Sequence, residues 1–256
     1  MEKKRVLTLI PARFASSRFP GKPLALISKK SMIQRVYENC AKAQASDIDF
    51  VTAVVTDDDR IEEHVKEFGG VVVRVDDDVV SGSERISLAY ERFYADQSFD
   101  LIINVQGDEP LLKSSLIEDL SKFHLESSYE VTTVVKKENG LDGDFLDPNK
   151  VKVIYTPEIG KCLYFSRAQI PFDRDSTNGK THWFLHVGVY SYRPECLKQF
   201  CQAAPSRFEM LEKLEQLRAL ELGMNIGAIE TDMTLLGVDT PEDIERLEGV
   251  LREQEK

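Results

Sequence analysis

Cysteine, histidine and tryptophan are scarce in this 256-residue chain, with four, four and one copies. Cys40, Cys162, Cys196 and Cys201 form no Cys-x-x-Cys pair, so buried, reduced thiols are expected rather than a disulfide framework or a zinc site. His182 and His186 are four apart, but no Glu follows His182 and the run WFLHVGVY reads as strand, which excludes a zinc-protease helix. No stretch of about 18 apolar residues occurs, so no membrane-spanning helix is expected. The opening MEKKR and its short apolar follower lack the length and cleavage site of a secretory signal, and a cytoplasmic location is expected. Positive charge is also short: 33 Lys and Arg against 44 Asp and Glu give a net charge of −11. That excludes a general nucleic-acid surface. No repeat, low-complexity tract or linker interrupts the chain. Residues 1–256 are expected to form a single domain with a substantial core.

Against this acidic background one basic stretch stands out. Val6-Leu7-Thr8-Leu9-Ile10 reads as a buried strand and runs into Pro11-Ala12-Arg13-Phe14-Ala15-Ser16-Ser17-Arg18-Phe19-Pro20-Gly21-Lys22-Pro23-Leu24. A helical apolar stripe follows from Met32 to Ala43. A loop between strand and helix in an α/β pattern opens at the carboxyl end of the strand, where such sheets bind ligands. Arg13, Arg18 and Lys22 supply cations, Pro11, Pro20 and Pro23 stiffen the loop, and Gly21 allows close backbone approach. Small residues at 12 and 15–17 leave amides open, a chemistry suited to a polyphosphate. The loop is neither a P-loop nor a dinucleotide fingerprint: Pro23 follows Gly21-Lys22, Ser16 stands at the first Gly, and no Gly-x-Gly-x-x-Gly is present.

Strands and helices then alternate. Strands are expected at 50–55, 71–75 and 101–105, with a helix capped by Asp59 and closed by Gly69-Gly70. Capping and solvation account for most of Asp57-Asp58-Asp59. A helix from Ser83 follows Ser81-Gly82; with Ile86 three residues on, Ser83 makes no capping box, and Glu84-Arg85 is left without a capping role. The strand 101–105 is apolar without alternation, as a central strand is, and ends in Gln106-Gly107-Asp108-Glu109-Pro110. A carboxylate there, with Gly107 beside it, suits Mg²⁺, although the same residues also favour a turn. A helix at 115–125, a strand at 130–135 and a loop over 136–147 come next. A hairpin of 149–155 with 161–167, and a strand at 183–192, suggest a small antiparallel layer near 149–193, a plausible dimer surface. Residues 208–222 read as one amphipathic helix with Leu211, Leu214 and Leu217 on its buried side. Thr240-Pro241-x-Asp243 reads as a helix start, which leaves Asp239 unexplained by capping.

Taken together, Ile-Pro-Ala-Arg-x-x-Ser-x-Arg-x-Pro-Gly-Lys-Pro-Leu from Ile10, Ser81-Gly82-Ser83-Glu84-Arg85, Val105-Gln106-Gly107-Asp108-Glu109-Pro110, Tyr164-Phe165-Ser166-Arg167, His186-Val187-Gly188-Val189-Tyr190 and Leu214-Glu215-Gln216-Leu217-Arg218 resemble the 3-deoxy-manno-octulosonate (Kdo) cytidylyltransferases, in order and across nearly the whole chain. The resemblance implies a Rossmann-like three-layer α/β nucleotidyltransferase fold with a mixed central sheet and a small antiparallel insertion. It implies CMP transfer from CTP to Kdo, releasing pyrophosphate, in lipopolysaccharide precursor supply, by a homodimer using Mg²⁺. By the same resemblance Pro11, Ala12, Arg13, Arg18, Lys22, Ser81 and Gly82 meet the nucleotide, and Asp108 and Asp239 hold the metal. Arg85, Gln106, Arg167, His186, Tyr190, Glu212, Glu215 and Gln216 face the sugar acid. Arg13, Arg18, Lys22 and Asp108 are the residues expected to carry catalysis. Taken singly, the sugar-side residues fit core or interface roles better than sugar binding.

Three departures fall in or near the sugar-side motifs: Leu185 where a basic residue is common, Phe172 where Trp is common, and Ser83 where Thr is common. They leave open an amino-substituted or other ulosonic acid as substrate. A nucleotide-binding regulator without catalysis is the alternative of another class; retention of both Asp108 and Asp239 argues against it.

Overall fold

Strand β1 (Lys4–Ala12) is buried along most of its length because Val6, Leu7, Leu9 and Ile10 face packing on both sides of a parallel sheet. The computed structural model describes residues 3–15, 19–175, 181–234, 236–238 and 240–254. Its elements are, in order, β1, β2 (Leu26–Ile27), β3 (Lys30–Ser31), α1 (Met32–Cys40), β4 (Ile48–Thr56), α2 (Asp59–Glu67), β5 (Val72–Arg74), α3 (Gly82–Phe93), β6 (Leu101–Asn104), α4 (Ser114–Glu126), β7 (Val131–Asn139), β8 (Lys152–Thr156), β9 (Lys161–Ser166), β10 (His182–Tyr192), α5 (Pro194–Gln202), α6 (Arg207–Glu212), α7 (Gln216–Glu221), β11 (Ile226–Glu230) and α8 (Pro241–Gln254). The chain groups into two compact units, Met1–Glu118 with Thr234–Lys256, and Asp119–Met233.

In the first unit the strand order is β5-β4-β1-β6, all parallel. Pro11 is tolerated inside β1 because β6 pairs only as far as Leu9, so nothing on that side needs the missing N–H. Asp58, not Asp59, caps α2: its carboxylate accepts the Arg60 N–H at 3.0 Å. Helix α3 starts before the expected Ser83. Ser81 caps it by accepting the Glu84 N–H at 3.1 Å, and the Glu84 carboxylate accepts the Val80 N–H at 3.0 Å. Glu84 therefore does have a capping role, which a start placed two residues late concealed. The start of α8 is as expected, with Asp243 accepting the Thr240 N–H at 3.0 Å. Leu247 of α8 packs with Ile27, Met32, Leu111 and Val238 in one apolar cluster, which seats the C-terminal helix on this unit.

The second unit carries a mixed sheet. Strand β10 runs antiparallel to β7, β11 runs parallel to β7, and the β8–β9 hairpin is antiparallel to its neighbours. The antiparallel strands expected near 149–193 are thus present, hydrogen-bonded into one sheet with β7 and β11. Strand β7 runs four residues into the expected loop because β10 supplies ladder partners for Lys136 to Asn139. The expected helix over 208–222 is two helices. α6 ends at Glu212, Lys213 takes a left-handed conformation (φ 53°), and α7 begins at Gln216. Leu211 consequently faces solvent at 70% exposure, whereas Leu214 and Leu217 are buried as expected. Strand β11 was not anticipated; its Ile-Gly-Ala-Ile-Glu has no alternation and few β-branched residues. All four cysteines are free thiols, and Cys201 is only half-buried.

His124 on α4 is fully buried and links this helix to the sheet. Its Nε2–H donates to the Tyr129 carbonyl at 3.0 Å, so its neutral Nδ1 accepts from the Ser191 hydroxyl at 2.8 Å. Burial, reinforced by Arg193, pushes its pKa down from 6.5 to about 4. The unfolded chain takes up this proton near pH 6.5, but the folded chain resists it until about pH 4. Stability is therefore lost as pH falls through that window, by about 3 kcal/mol. In urea titrations at a series of pH values, His124→Gln is expected to be less stable at pH 7 and to show a shallower decline between pH 6.5 and 4. A wild-type slope retained in the variant would contradict this assignment.

Candidate functional site

The described residues of the basic loop, 13–15 and 19–24, lie near the C-terminal ends of β1 and β6. Gly21 donates to the Phe14 carbonyl at 2.9 Å, and Lys22–Leu24 forms a single 3₁₀ turn with Pro23 near its start. Gly21 is required for its left-handed backbone (φ 74°), and a Cβ there would stand 3.0 Å from the Phe14 ring. Its glycine thus serves the turn, in addition to any access it gives a ligand. The Phe14 ring also carries the Arg60 guanidinium, 3.2 Å from its centroid.

This turn aims Lys22 at the segment after β6. Lys22 Nζ donates to Asp108 Oδ2 at 2.6 Å and to the Val238 carbonyl at 2.8 Å, and the Val238 N–H donates to the Asp108 carbonyl at 3.2 Å. Three segments remote in sequence meet here. The Lys22 side chain is 15% exposed and that of Asp108 31%, so both remain reachable from solvent. Val238 directly precedes Asp239, which lies outside the described residues, as do Arg18, Ser16 and Ser17.

Arg13 lies on the other side of the loop. Its Nη2 donates to the carbonyls of Val79 at 2.6 Å and Ser81 at 3.1 Å. Burial and the neighbouring Arg85 lower its pKa, although Asp57 offsets part of that. Pro11, Gly82 and Gly107 converge: a Cβ at Gly82 would lie 3.2 Å from Pro11 Cγ, and one at Gly107 only 3.0 Å from the Pro11 carbonyl oxygen. The structure therefore brings together Pro11, Ala12, Arg13, Lys22, Ser81, Gly82, Gln106 and Asp108 in the first unit. Arg85 also belongs to it, but its side chain is buried. Nη1 donates to the Val75 carbonyl at 2.6 Å and Nη2 to Asp57 at 2.7 Å, an ion pair buried on the arginine side.

The remaining sugar-side candidates lie in the second unit. Glu212 accepts from the Ser166 hydroxyl at 2.6 Å and the Arg167 N–H at 2.8 Å. The Arg167 guanidinium donates to the carbonyls of Glu212 (2.6 Å), Pro148 (2.9 Å) and Lys213 (3.2 Å). These contacts explain the break between α6 and α7: the carbonyls at the end of α6 are taken by Arg167. A bulge in β10 between Val187 and Tyr190 brings the His186 and Tyr190 rings to 5.2 Å. The Thr133 hydroxyl donates to the Val189 carbonyl at 2.8 Å and lies 3.1 Å from His186 Nε2, from which it accepts. His186 is therefore neutral with Nδ1 as its acceptor, and burial holds its pKa down at about 3. Burial likewise raises that of Tyr190. Gln216 is 6% exposed, and its Nε2 has no hydrogen-bond partner among the described residues. Glu215 approaches Arg218 at 3.8 Å.

Sequence reasoning passed over Asp57, Thr133 and Val238. Asp57 had a signal, its place at the carboxyl end of a buried strand; Val238 contributes only its backbone and had none.

Gly107→Ala is expected to cost about 1–3 kcal/mol of stability, because the new methyl group meets a carbonyl that β1 holds in place. A melt unchanged within 1 °C would contradict the close approach.

Comparison with known proteins shows what the chain is similar to. The cytidylyltransferase family model matches residues 7–226. A 3-deoxy-manno-octulosonate cytidylyltransferase of Syntrophotalea carbinolica is 45% identical over 255 residues, covering 96% of this chain and 98% of that protein. Its counterpart in Pelobacter propionicus is 42% identical over 248 residues, covering 93% and 94%. The solved structure of a CMP:2-keto-3-deoxy-manno-octonic acid synthetase complexed with CTP superposes with a TM-score of 0.87 at 33% identity, over 98% of this chain and 100% of that one. A glucose-1-phosphate thymidylyltransferase structure from Bacillus anthracis shares the fold at a TM-score of 0.66 and 14% identity, covering 97% and 96%.

Proposed function

The chain belongs to the cytidylyltransferase family, and on that premise we propose how its residues do the chemistry. It is a CTP-dependent nucleotidyltransferase that transfers CMP from CTP to 3-deoxy-manno-octulosonate, giving the CMP-sugar acid and pyrophosphate. The convergence of Lys22, Asp108 and the Val238 backbone at the ends of β1 and β6 carries the mechanistic reading. A triphosphate needs fixed cations around it and a metal-binding carboxylate beside it, and this corner supplies both types of group.

Asp108 suits Mg²⁺: it is a hard oxygen donor, partly exposed, and its Oδ1 has no hydrogen-bond partner among the described residues. Asp239 is its proposed companion ligand. When bound, Mg²⁺ neutralises phosphate oxygens that would otherwise repel the incoming nucleophile. Lys22, Arg13 and Arg18 are proposed to hold the phosphates, while Pro11, Ala12, Ser81 and Gly82 line the nucleoside. Arg167, His186, Tyr190, Glu212, Glu215, Gln216 and Gln106 are proposed to hold and orient the sugar acid. Its anomeric hydroxyl attacks the α-phosphorus, an O–P bond forms, the bond from the α-phosphorus to the bridging oxygen of the β-phosphate breaks, pyrophosphate leaves, and the hydroxyl proton passes to solvent. Neutral His186, with Nδ1 as acceptor, suits a sugar hydroxyl better than a carboxylate. We further propose a homodimer in the cytoplasm, where CTP is made. The exposed Leu163, Met210 and Leu211 of the second unit support an apolar contact.

Pyrophosphate release tests this reading. Release is expected only when CTP, a divalent metal and the sugar acid are all present. Lys22→Ala is expected to raise KM for CTP at least tenfold and to change KM for the sugar acid less. Equal turnover in EDTA, or an effect of Lys22→Ala confined to the sugar acid, would overturn it.

A further inference from the structure

Two arginines hold the segment between β5 and α3 by its carbonyl oxygens. Arg85 holds Val75 O at 2.6 Å, and Arg13 holds Val79 O at 2.6 Å and Ser81 O at 3.1 Å. This segment ends in Ser81 and Gly82, and Gly82 is already so close to Pro11 that an added Cβ would lie 3.2 Å from its ring. A shift of residues 76–82 would therefore break the packing of Gly82 against Pro11. The Arg85 side chain is only 2% exposed and has one ionic partner among the described residues, Asp57, just past the end of β4. The Asp57 carboxylate is 35% exposed, and its charge also reaches Arg13. It thus offsets two guanidinium groups that repel one another across the segment.

We propose that Asp57 and Arg85 are positioning residues for the nucleotide: acting through the backbone of residues 75–82, they fix the packing of Gly82 against Pro11, the surface on which the nucleoside of CTP is held. Arg85 then serves CTP and does not touch the sugar acid. Geometry carries the argument. Both terminal nitrogens of the guanidinium are committed to Val75 and Asp57, and a buried guanidinium stripped of its carboxylate cannot keep its place. Asp57→Asn retains the shape but removes the charge, so Arg85 is left buried against a neutral amide and the segment loosens. This inference rests on the assignment of CTP to the site, and the experiment separates the two.

Steady-state kinetics and calorimetric CTP binding are measured for the wild type, Asp57→Asn and Arg85→Lys, with amide exchange of residues 76–82 followed by mass spectrometry. The expected result is a rise of about tenfold in KM and Kd for CTP in both variants, a KM for the sugar acid within twofold of the wild type, and faster exchange of residues 76–82. In the wild type, CTP alone should slow exchange of these residues and the sugar acid alone should not, a readout that needs no folded variant. A wild type that binds no CTP would refute the assignment of the nucleotide. A wild type that binds CTP without protecting residues 76–82, or folded variants with unchanged Kd for CTP, would overturn the positioning role. A defect confined to KM for the sugar acid would also overturn it.

Discussion

One ammonium group ties three segments of the first unit together. Lys22 Nζ reaches the carboxylate of Asp108 and the backbone of Val238, and Asp108 in turn takes the Val238 N–H. Three segments more than 80 residues apart in sequence are fixed by these contacts. Charge-assisted bonds of this kind contribute about 1.5–3 kcal/mol when shielded from water, and less here because Asp108 is partly exposed. Their larger effect is on order. In the proposed reading this lysine is already held where a phosphate would arrive, so its side-chain entropy would be lost on folding and not on binding. The apolar cluster of Ile27, Met32, Leu111, Val238 and Leu247 supplies the support, because it keeps the Val238 backbone where Lys22 can find it.

The cations divide by burial. Lys22 stays reachable, whereas Arg85 is enclosed and paired with the partly exposed Asp57, and Arg13 is partly spent on the carbonyls of Val79 and Ser81. A motif rich in arginine therefore does not present all its charge to a ligand. Some of it holds loop backbone, a task to which the planar, multiply donating guanidinium is better suited than an ammonium. The same use recurs in the second unit, where Arg167 takes the carbonyls of Glu212, Pro148 and Lys213.

Much of this was legible before any coordinates. Apolar runs without alternation placed β1, β4 and β6, and loop chemistry at their carboxyl ends pointed to the corner where Lys22 and Asp108 meet. The misses have physical causes. The helix expected over 208–222 breaks because Arg167, remote in sequence, competes for its carbonyls. Helix α3 was placed two residues late, so the Ser81–Glu84 cap went unseen. Strand β11 carries too little β-forming character to announce itself, and its pairing with β7 depends on tertiary context. Arg85 could not be read as buried, because nothing local in its segment reveals that Asp57 lies across from it. Val238 acts through its peptide group, which every residue has.

The central claim is that Asp108, held by Lys22, shares one metal site with Asp239 and that this site drives transfer. The most direct measurement is kcat for Asp108→Asn, Asp239→Asn and the double variant, with thermal melts to confirm folding. Two carboxylates on one ion act as a unit, so each single change should cut kcat by orders of magnitude and the double should be little worse than the worse single. Near-normal kcat in a folded Asp239→Asn protein, or losses that multiply independently, would contradict the shared site.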